Sequence, residues 1–429
     1  MRPTGLSLWF IFGLAAFALL WPELVLWKYI VSIWLAIMLI DAFWAYTQSQ
    51  VEVTRTAPQN LSVNRHATVT VSVHNPEPRK LYISLQDELP QFTVASEVKH
   101  RMVLAPDHHG IITYQLQPVR RGDGQFGNVS LLIESPFRLW ELRRRKPIDN
   151  QIRVYPDFAA IDRYLELASD RQSRHMGLKV KPRRGEGLEF HQLKEYHPND
   201  GVRSIDWKAT ARRRNLISRQ YTVERDQRVV FLLDSGSRMR AKDGTLSHFD
   251  HALNAMLLLS HVALRQGDNV TLKTFGPAKL WLPNLRSVGA INQILNAVYS
   301  IHTGTEMADF VGAAEELMRQ QRKRSLIVLM TNLREEDADL LPALKLLQRR
   351  HVVLLASLRE SVLDDTLKTP VTSFSQALNV AGASRYLAQR RVAQASFSKH
   401  AHLLIDCVPE QLPIQLVNSY WQLKHAGTL

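Results

Sequence analysis

Residues 228–238 read RVVFLLDSGSR, and this stretch decides the fold of the C-terminal half. An unbroken apolar run, Val229 to Leu233, stops at Asp234 and a short polar loop, and the plan recurs downstream. Further strand runs are VTLKTF at 270–275, SLIVLMTN at 325–332, VVLLAS at 352–357 and HLLID at 402–406. Helical periodicity is read at Phe249 to Arg265, Ala290 to Tyr299, Met307 to Gln320, Leu340 to Arg349, Ser384 to Ser396 and Leu412 to Leu423. Short apolar runs alternating with amphipathic helices specify a doubly wound α/β domain over 229–429, its mostly parallel sheet covered on both faces. Such sheets hold ligands at the carboxyl ends of their strands, so the loop after Asp234 is the first candidate site.

Working toward the N-terminus, 156–228 reads as a linker, and its part 183–228 is RRGEGLEFHQLKEYHPNDGVRSIDWKATARRRNLISRQYTVERDQR. It interleaves Glu189, Glu195, Asp200 and Asp206 with Lys194, Arg203, Lys208 and Arg212 around Tyr196 and Trp207. Opposite charges at this density pair, and arginine forks take carboxylates in bidentate fashion. The segment therefore reads as a charge-latched piece packed against the first strand of the next domain, or as a partner-binding surface. Asp200, Asp206 and Lys208 also match, in residue type, the two acids and lysine of metal-dependent nucleases, which makes a nuclease-like enzyme the alternative.

The run Gly185, Gly187, Glu189, Phe190, then Glu195-Tyr196, Pro198, Asp200, Arg203, then Ile205-Asp206-Trp207-Lys208 and Ala211-Arg212 closely resembles the signature of a bacterial family called domain of unknown function 58. The resemblance implies two N-terminal membrane helices, a β-rich segment, the signature and a von Willebrand factor A-like C-terminal domain. It further implies a non-enzymatic accessory role beside a MoxR-type AAA+ ATPase, in assembling or remodelling complexes of a client protein. A von Willebrand A metal loop would read Asp-x-Ser-x-Ser, whereas this chain has Asp234-Ser235-Gly236-Ser237-Arg238, two hydroxyl ligands short. Thr305 matches the threonine of that fold's second metal loop, and Asn332 stands where an aspartate is usual. Mg²⁺ wants hard oxygens in near-octahedral array with at least one or two carboxylates. Asp234, Ser237, Thr305 and Asn332 are thus a degenerate set, so no cofactor is expected, Mg²⁺ at this set being the alternative.

From Val51 to Tyr155 apolar and polar residues alternate in VEVTRT, ATVTVSVHN, LYISLQDEL, GIITYQLQPV and VSLLIES. Period two means half-buried antiparallel strands, and several of them between turn residues indicate an immunoglobulin-like β-sandwich over 51–155. Arg120-Arg121-Gly122 and the Arg143 to Lys146 run read as a turn and a solvated face. His108 and His109 are adjacent, so in extended chain they point to opposite faces and do not ligate jointly.

The first fifty residues are different. Leu6 to Trp21 carries no charge, Leu24 to Ile40 carries only Lys28, and Pro22 and Glu23 separate the runs. At about 1.5 Å per residue each run nearly spans a hydrocarbon core of about 30 Å, so the pair reads as a transmembrane helical hairpin at roughly 6–21 and 24–40. Trp9, Trp21, Trp27, Trp34 and Trp44 lie mostly near the run ends, where indoles favour the interface. Arg2 and Lys28 cancel Glu23 and Asp41, so the whole net charge of +14 belongs to the body beyond. A hairpin returns the chain to its starting side, and a basic body stays inside, which makes this a two-pass protein of the bacterial inner membrane with a cytoplasmic body.

Such a body favours anionic neighbours, and the lipid bilayer beside the anchor accounts for the charge without nucleic acid. The basic stretches Arg319 to Arg324 and Arg349-Arg350 fall at helix ends, where cations complement the helix dipole, and aromatics do not interleave them as in nucleic-acid binders. The single cysteine, Cys407, has strand-like neighbours and reads as a packed thiol. No P-loop, dinucleotide fingerprint or nucleophile elbow occurs in the sequence. The reading is a membrane-anchored interaction protein, the alternatives being the metal-dependent enzyme and a basic nucleic-acid binder.

Overall fold

The computed structural model describes residues 1–429 apart from 21–25, 49, 97–98, 158–188, 198–203, 223–226, 335–336 and 429, with backbone alone at 6, 18, 26, 48, 189–192 and 220–222. Contacts divide the chain into two units, Met1–Tyr155 and Pro156–Leu429.

The first unit opens with helices Gly5–Leu20 and Leu26–Gln48. The stretch Trp27–Thr47 is long and apolar enough to cross a membrane, and Ser7–Phe17 is a shorter apolar helix segment. The second helix continues well beyond Ile40, where the sequence placed its end. Asp41 does not interrupt it because its carboxylate is satisfied inward, accepting from Ser135 Oγ and from the amides of Phe137 and Leu139.

The β-rich part holds a five-stranded sheet in the order Arg2–Pro3, Trp140–Lys146, Val129–Glu134, Leu81–Asp87, Lys99–Leu104. A four-stranded sheet runs Glu52–Thr56, Ala67–Asn75, His108–Pro118, Thr93–Ala95, and a three-stranded one Asn60–Ser62, Gln151–Tyr155, Gly122–Gln125. Period-two burial follows the sequence pattern: Val69, Val71 and Val73 are buried on one strand and Leu81, Ile83 and Leu85 on another. The two larger sheets meet at a buried polar centre. Arg55 of one reaches Asp87 of the other at 2.5 Å, Tyr114 donates to the same carboxylate at 2.7 Å, and the guanidinium also serves the carbonyls of Ile148 and Gly127. Burial, and then the Asp87 carboxylate, push the Tyr114 phenol far above its ordinary range. Trp140–Lys146 is a paired strand on which Arg143 and Arg145 are exposed, in keeping with a solvated face, whereas Arg121 departs from the expected turn: it is buried beside Gly122, whose φ of 122° begins a strand.

In the second unit, Arg228–Asp234 (β1), Asn269–Phe275 (β2), Leu280–Leu285 (β3), Leu326–Thr331 (β4), Val352–Leu358 (β5) and Leu403–Cys407 (β6) form one sheet in the order β3-β2-β1-β4-β5-β6. Neighbours are parallel except β2 and β3. The helices are His248–Arg265 (α1), Ala290–Val298 (α2), Phe310–Gln320 (α3), Leu340–Gln348 (α4), Ser361–Lys368 (α5), Phe374–Ser398 (α6) and Leu412–His425 (α7). Alternate residues of β1 feed two cores. Val229, Phe231 and Leu233 pack with α1, α2 and α7, while Val230 and Leu232 pack with α3, α4 and the end of α6. Because both faces are buried, β1, β4 and β5 carry no polar alternation, which is why they appeared in the sequence as solid apolar runs; β2 is the exception, burying Thr271 and Lys273.

The sequence reading missed β3, α5 and the first ten residues of α6. Pro283 and Asn284, at φ 56°, hide β3 as a strand, yet both are tolerated because β3 is an antiparallel edge. The start of α6 is set by a capping box of Ser373 and Gln376 rather than by apolar periodicity, since 374–382 is mostly exposed.

Just before β5, His351 is buried. Burial and then the neighbouring Arg350 push it down to about 4. A histidine depressed in the folded state leaves the unfolded chain binding more protons below its own value of about 6.5, so stability is present above that pH and falls through the window from about 6.5 to about 4. For His351 the loss is on the order of 3 kcal/mol across that window. Urea unfolding of wild type and His351→Leu at neutral pH and near pH 4 measures it, and the variant is expected to lose less stability on acidification.

Candidate functional site

The chain leaves β1 across one face of the sheet and reaches β4 from the other, so the carboxyl ends of β1 and β4 flank the crevice where α/β sheets place ligands. Asp234 ends β1 there with no solvent exposure. Its Oδ1 accepts from the Gly236 amide at 2.7 Å and its Oδ2 from Thr331 Oγ1 at 2.6 Å, and Arg238 Nε lies 3.9 Å from Oδ2. Burial pushes the Asp234 carboxyl above the ordinary carboxylate range, against the pull of Thr331, the Gly236 amide and Arg238. Arg238 is itself buried. It donates to Asp337 at 2.5 Å and its guanidinium stands 5.2 Å from the Phe310 ring.

The loop carrying Thr305 closes over this turn. Gly304 donates its amide to the Ser235 carbonyl at 3.1 Å, and the Ser237 amide donates to the Glu306 carbonyl at 2.9 Å, so exposed Thr305 is held between two backbone bonds to the β1 loop. Ser235 is tied separately, donating its hydroxyl to the Phe275 carbonyl at 2.7 Å. Gly236 stands where the Asp-x-Ser-x-Ser pattern has its first serine. A Cβ there would meet the Ala308 amide nitrogen and Asp234 Oδ1 at 3.0 Å each, tighter than ordinary contact, so a serine here requires its neighbours to give way. Asn332 is turned away from Asp234, and the residue that meets Asp234 is Thr331. The donors in place therefore do not fit a Mg²⁺ site: the second serine position is filled by a guanidinium, and Asn332 is engaged elsewhere. Among the described residues no group of three His, Cys, Asp or Glu is arranged to hold a metal.

Asn332 instead joins a buried network centred on Arg390 of α6. The Arg390 guanidinium donates to Asn332 Oδ1 at 3.0 Å, the Leu333 carbonyl at 2.6 Å, Ser357 Oγ at 2.5 Å, the Leu358 carbonyl at 2.7 Å and Asp406 Oδ1 at 2.7 Å. The other end of Asn332 donates to Glu360 at 2.9 Å and lies 3.4 Å from His248 Nδ1. Burial opposes the Arg390 charge, yet the bond to Asp406 and its field hold the guanidinium above its ordinary value. Burial likewise pushes His248 down, against the field of Glu360. One signal in the sequence pointed to Arg390: it occupies the buried stripe Ala383, Leu387, Arg390, Ala393, Phe397, where a lone arginine must be fully paired.

The signature folds into strands Glu189–Glu195 and Ile217–Thr222, paired antiparallel, with helix Trp207–Arg213 between them. Asp206 caps that helix, Oδ1 accepting from the Lys208 and Ala209 amides at 3.0 Å each, while Oδ2 accepts from Arg219 at 2.9 Å. The Arg219 bond, then the Ala209 amide, hold its carboxyl below the ordinary range. The charge pairing expected of a latch is thus seen within the hairpin itself, and its partner Arg219 was not among the residues singled out. Trp207 is 66% exposed, Leu216 48% and Leu193 40%, and the helix buries none of its residues. Glu195, Lys208 and Arg212 are exposed and Tyr196 is half-buried, its amide donating to the Leu216 carbonyl. Gly187, Asp200 and Arg203 lie outside the described residues, and Glu189 and Phe190 are described in backbone only. The trio Asp200, Asp206 and Lys208 is therefore not assembled among the described residues, and Asp206 serves its own helix.

With this geometry in place, the family model described as protein of unknown function DUF58 matches residues 192–381, from the signature hairpin into α6. Over those residues the chain resembles the DUF58 family. An uncharacterized protein, YeaD, of Bacillus subtilis strain 168 is 22% identical over 236 residues, 53% of this chain and 54% of the relative, so the chain spans about half the length of the curated relative it matches. Among solved structures, an aerotolerance-related membrane protein of Bacteroides fragilis is 20% identical over 30% of this chain and 67% of its own, at a TM-score of 0.24. Proximal thread matrix protein 1 of mussel byssus is 12% identical over 48% of this chain and 47% of its own, at 0.29. The CARDB domain of the PF1109 protein of Pyrococcus furiosus is 14% identical over 24% of this chain and 92% of its own, at 0.19. These are partial likenesses and no more.

Removing one side of a buried ion pair typically costs roughly 3–5 kcal/mol, whereas replacing both sides by apolar groups is far milder. Arg390→Met is expected to lower unfolding stability by that amount, and Arg390→Met with Asp406→Leu to recover part of it, as read by urea denaturation.

Proposed function

We propose that this DUF58 chain is a membrane-anchored, non-enzymatic accessory protein whose signature hairpin docks a MoxR-type AAA+ ATPase during assembly or remodelling of client complexes. The observation that carries the reading is Trp207, 66% exposed at the first position of a helix that buries no side chain, with Leu216 and Leu193 also exposed on the same hairpin. Tryptophan is the residue type most enriched among binding hot spots, and a large exposed indole on a rigid, capped helix loses little freedom on docking. Arg212, Arg213, Arg214 and Lys208 are exposed around it, a rim suited to a partner with carboxylates.

The α/β domain, with its sheet order and its two loops closing over Asp234, is of von Willebrand A-like type in this reading, used as a scaffold. Both N-terminal helices cross the bacterial inner membrane as a hairpin, and the body lies on the cytoplasmic side. Apolar length in Trp27–Thr47 and the arginines at the entry end, Arg2, Arg138, Arg143, Arg144 and Arg145, support that orientation. The engagement of Asp206 by its own helix and Arg219 favours docking over nuclease chemistry.

Trp207→Ala in the full chain, purified in detergent, is expected to weaken capture of the MoxR-type ATPase by at least about tenfold while leaving the unfolding curve unchanged, as for a hot-spot residue worth ~2 kcal/mol. Pull-down with and without ATP, followed by titration, checks it. Equal capture by wild type and variant contradicts the assignment of the docking surface.

A further inference from the structure

The two apolar helices and one turn of the β-rich part are pinned together at a single level. Asp41, fully buried, accepts from Ser135 Oγ and from the amides of Phe137 at 3.0 Å and Leu139 at 3.3 Å. One helical turn earlier the Met38 carbonyl accepts from Trp140 Nε1 at 2.9 Å. The first helix is tied to the same turn: Thr4 donates its amide to the Leu139 carbonyl at 2.9 Å and its hydroxyl to the Arg138 carbonyl at 2.7 Å. Just before it, Arg2 pairs with Glu141 at 2.5 Å.

Charge then marks where a bilayer surface passes. The helix Gly5–Leu20 has no charged side chain over about 24 Å of rise. Arg2, Asp41, Arg138 and Glu141 gather at its entry end, and charge is kept at the edge of hydrocarbon rather than within it. Aromatic side chains stand at and just beyond the same level. Phe43 is 66% exposed, Trp44 45%, Tyr46 66% and Phe137 53%, and Trp44 stacks on Phe137 with ring centroids 6.1 Å apart. Trp44 and Tyr46 are the amphipathic aromatics that favour a headgroup layer, and Phe43 and Phe137 add apolar surface beside them. Arg143 and Arg145 are exposed on the strand that leaves the turn.

We propose that residues 135–140 are a membrane-contact element, seated at headgroup level around the second helix. Phe137 enters the acyl boundary, and Arg143 faces lipid phosphates, while Arg138 stays on the Tyr82 ring beside Glu134. The β-rich part therefore stands on the bilayer by this end and does not swing on a flexible tether. The patch is continuous with the apolar helices, which makes phospholipid its occupant, and the inference rests on the transmembrane reading above.

Single cysteines at Phe137, Arg143, Ile33 and Gln125 of the full chain, labelled with an environment-sensitive fluorophore in nanodiscs of phosphatidylethanolamine and phosphatidylglycerol, test this. Cys407 does not compete for label, because it is buried and its thiol is pushed up to about 12 by burial. Gln125 is the remote control, since strand Val129–Glu134 separates it from the turn by about 20 Å. Lipids bearing a nitroxide near the headgroup should quench labels at 137 and 143 several-fold more than at 125, and lipids bearing it deep in the acyl chain should quench at 33. If 33 is quenched while 137 and 143 match 125, the contact element is overturned and the anchor stands. If 33 is not quenched either, the transmembrane reading falls and takes this inference with it.

Discussion

The carboxyl edge of the α/β domain depends on one buried guanidinium. Arg390 reaches the ends of β4, β5 and β6 at once, through the Leu333 carbonyl, Ser357 and the Leu358 carbonyl, and Asp406. A planar fork with five donors is the only side chain that serves so many acceptors from one point. The loops that follow those strands are thereby fixed relative to one another, and Asn332 is drawn inward away from Asp234. Arg238 does the same for β1, joining Asp234, Asp337 and the Phe310 face. Cations that are part of the chain hold this edge together.

A second polar group buried in apolar surroundings organises the first unit in the same way. Asp41 sits on a hydrophobic helix and is satisfied by one hydroxyl and two amides of a single turn, so a residue that looks costly by composition becomes the joint between helix and sheet. In both units a fully paired charge specifies geometry that apolar packing alone leaves loose. For the docking role proposed above this matters, because an interface on a rigid body loses less freedom on binding.

How much of this was legible in the sequence follows from which physical signal each element carries. The parallel strands were legible because burial on both faces leaves solid apolar runs such as VVFLLD, and the antiparallel strands because burial on one face leaves alternation. Strand Trp140–Lys146 was lost because WELRRRK alternates charge with charge, and β3 because Pro283 breaks the pattern. At the site, Asp234, Gly236 and Arg238 were legible from a local motif. Thr331, Asp337 and Asp406 were not, since they meet their partners only after the sheet has ordered its strands. Asp206 was legible as a charged residue but not as a helix cap, because its cap becomes evident only when Trp207–Arg213 is recognised as a helix between two strands.

The central claim is that the Arg238 guanidinium supplies the positive charge beside Asp234 and Asp337, with no divalent cation needed there. Calorimetric titration of the full chain with Mg²⁺ and Mn²⁺, comparing wild type with Arg238→Ser, tests it most directly. The expected result is no wild-type site tighter than millimolar and a gain of affinity in the variant, where Asp234 and Asp337 have lost their shared cation and gained a neighbouring hydroxyl. Wild-type binding as tight as, or tighter than, that of the variant would contradict it.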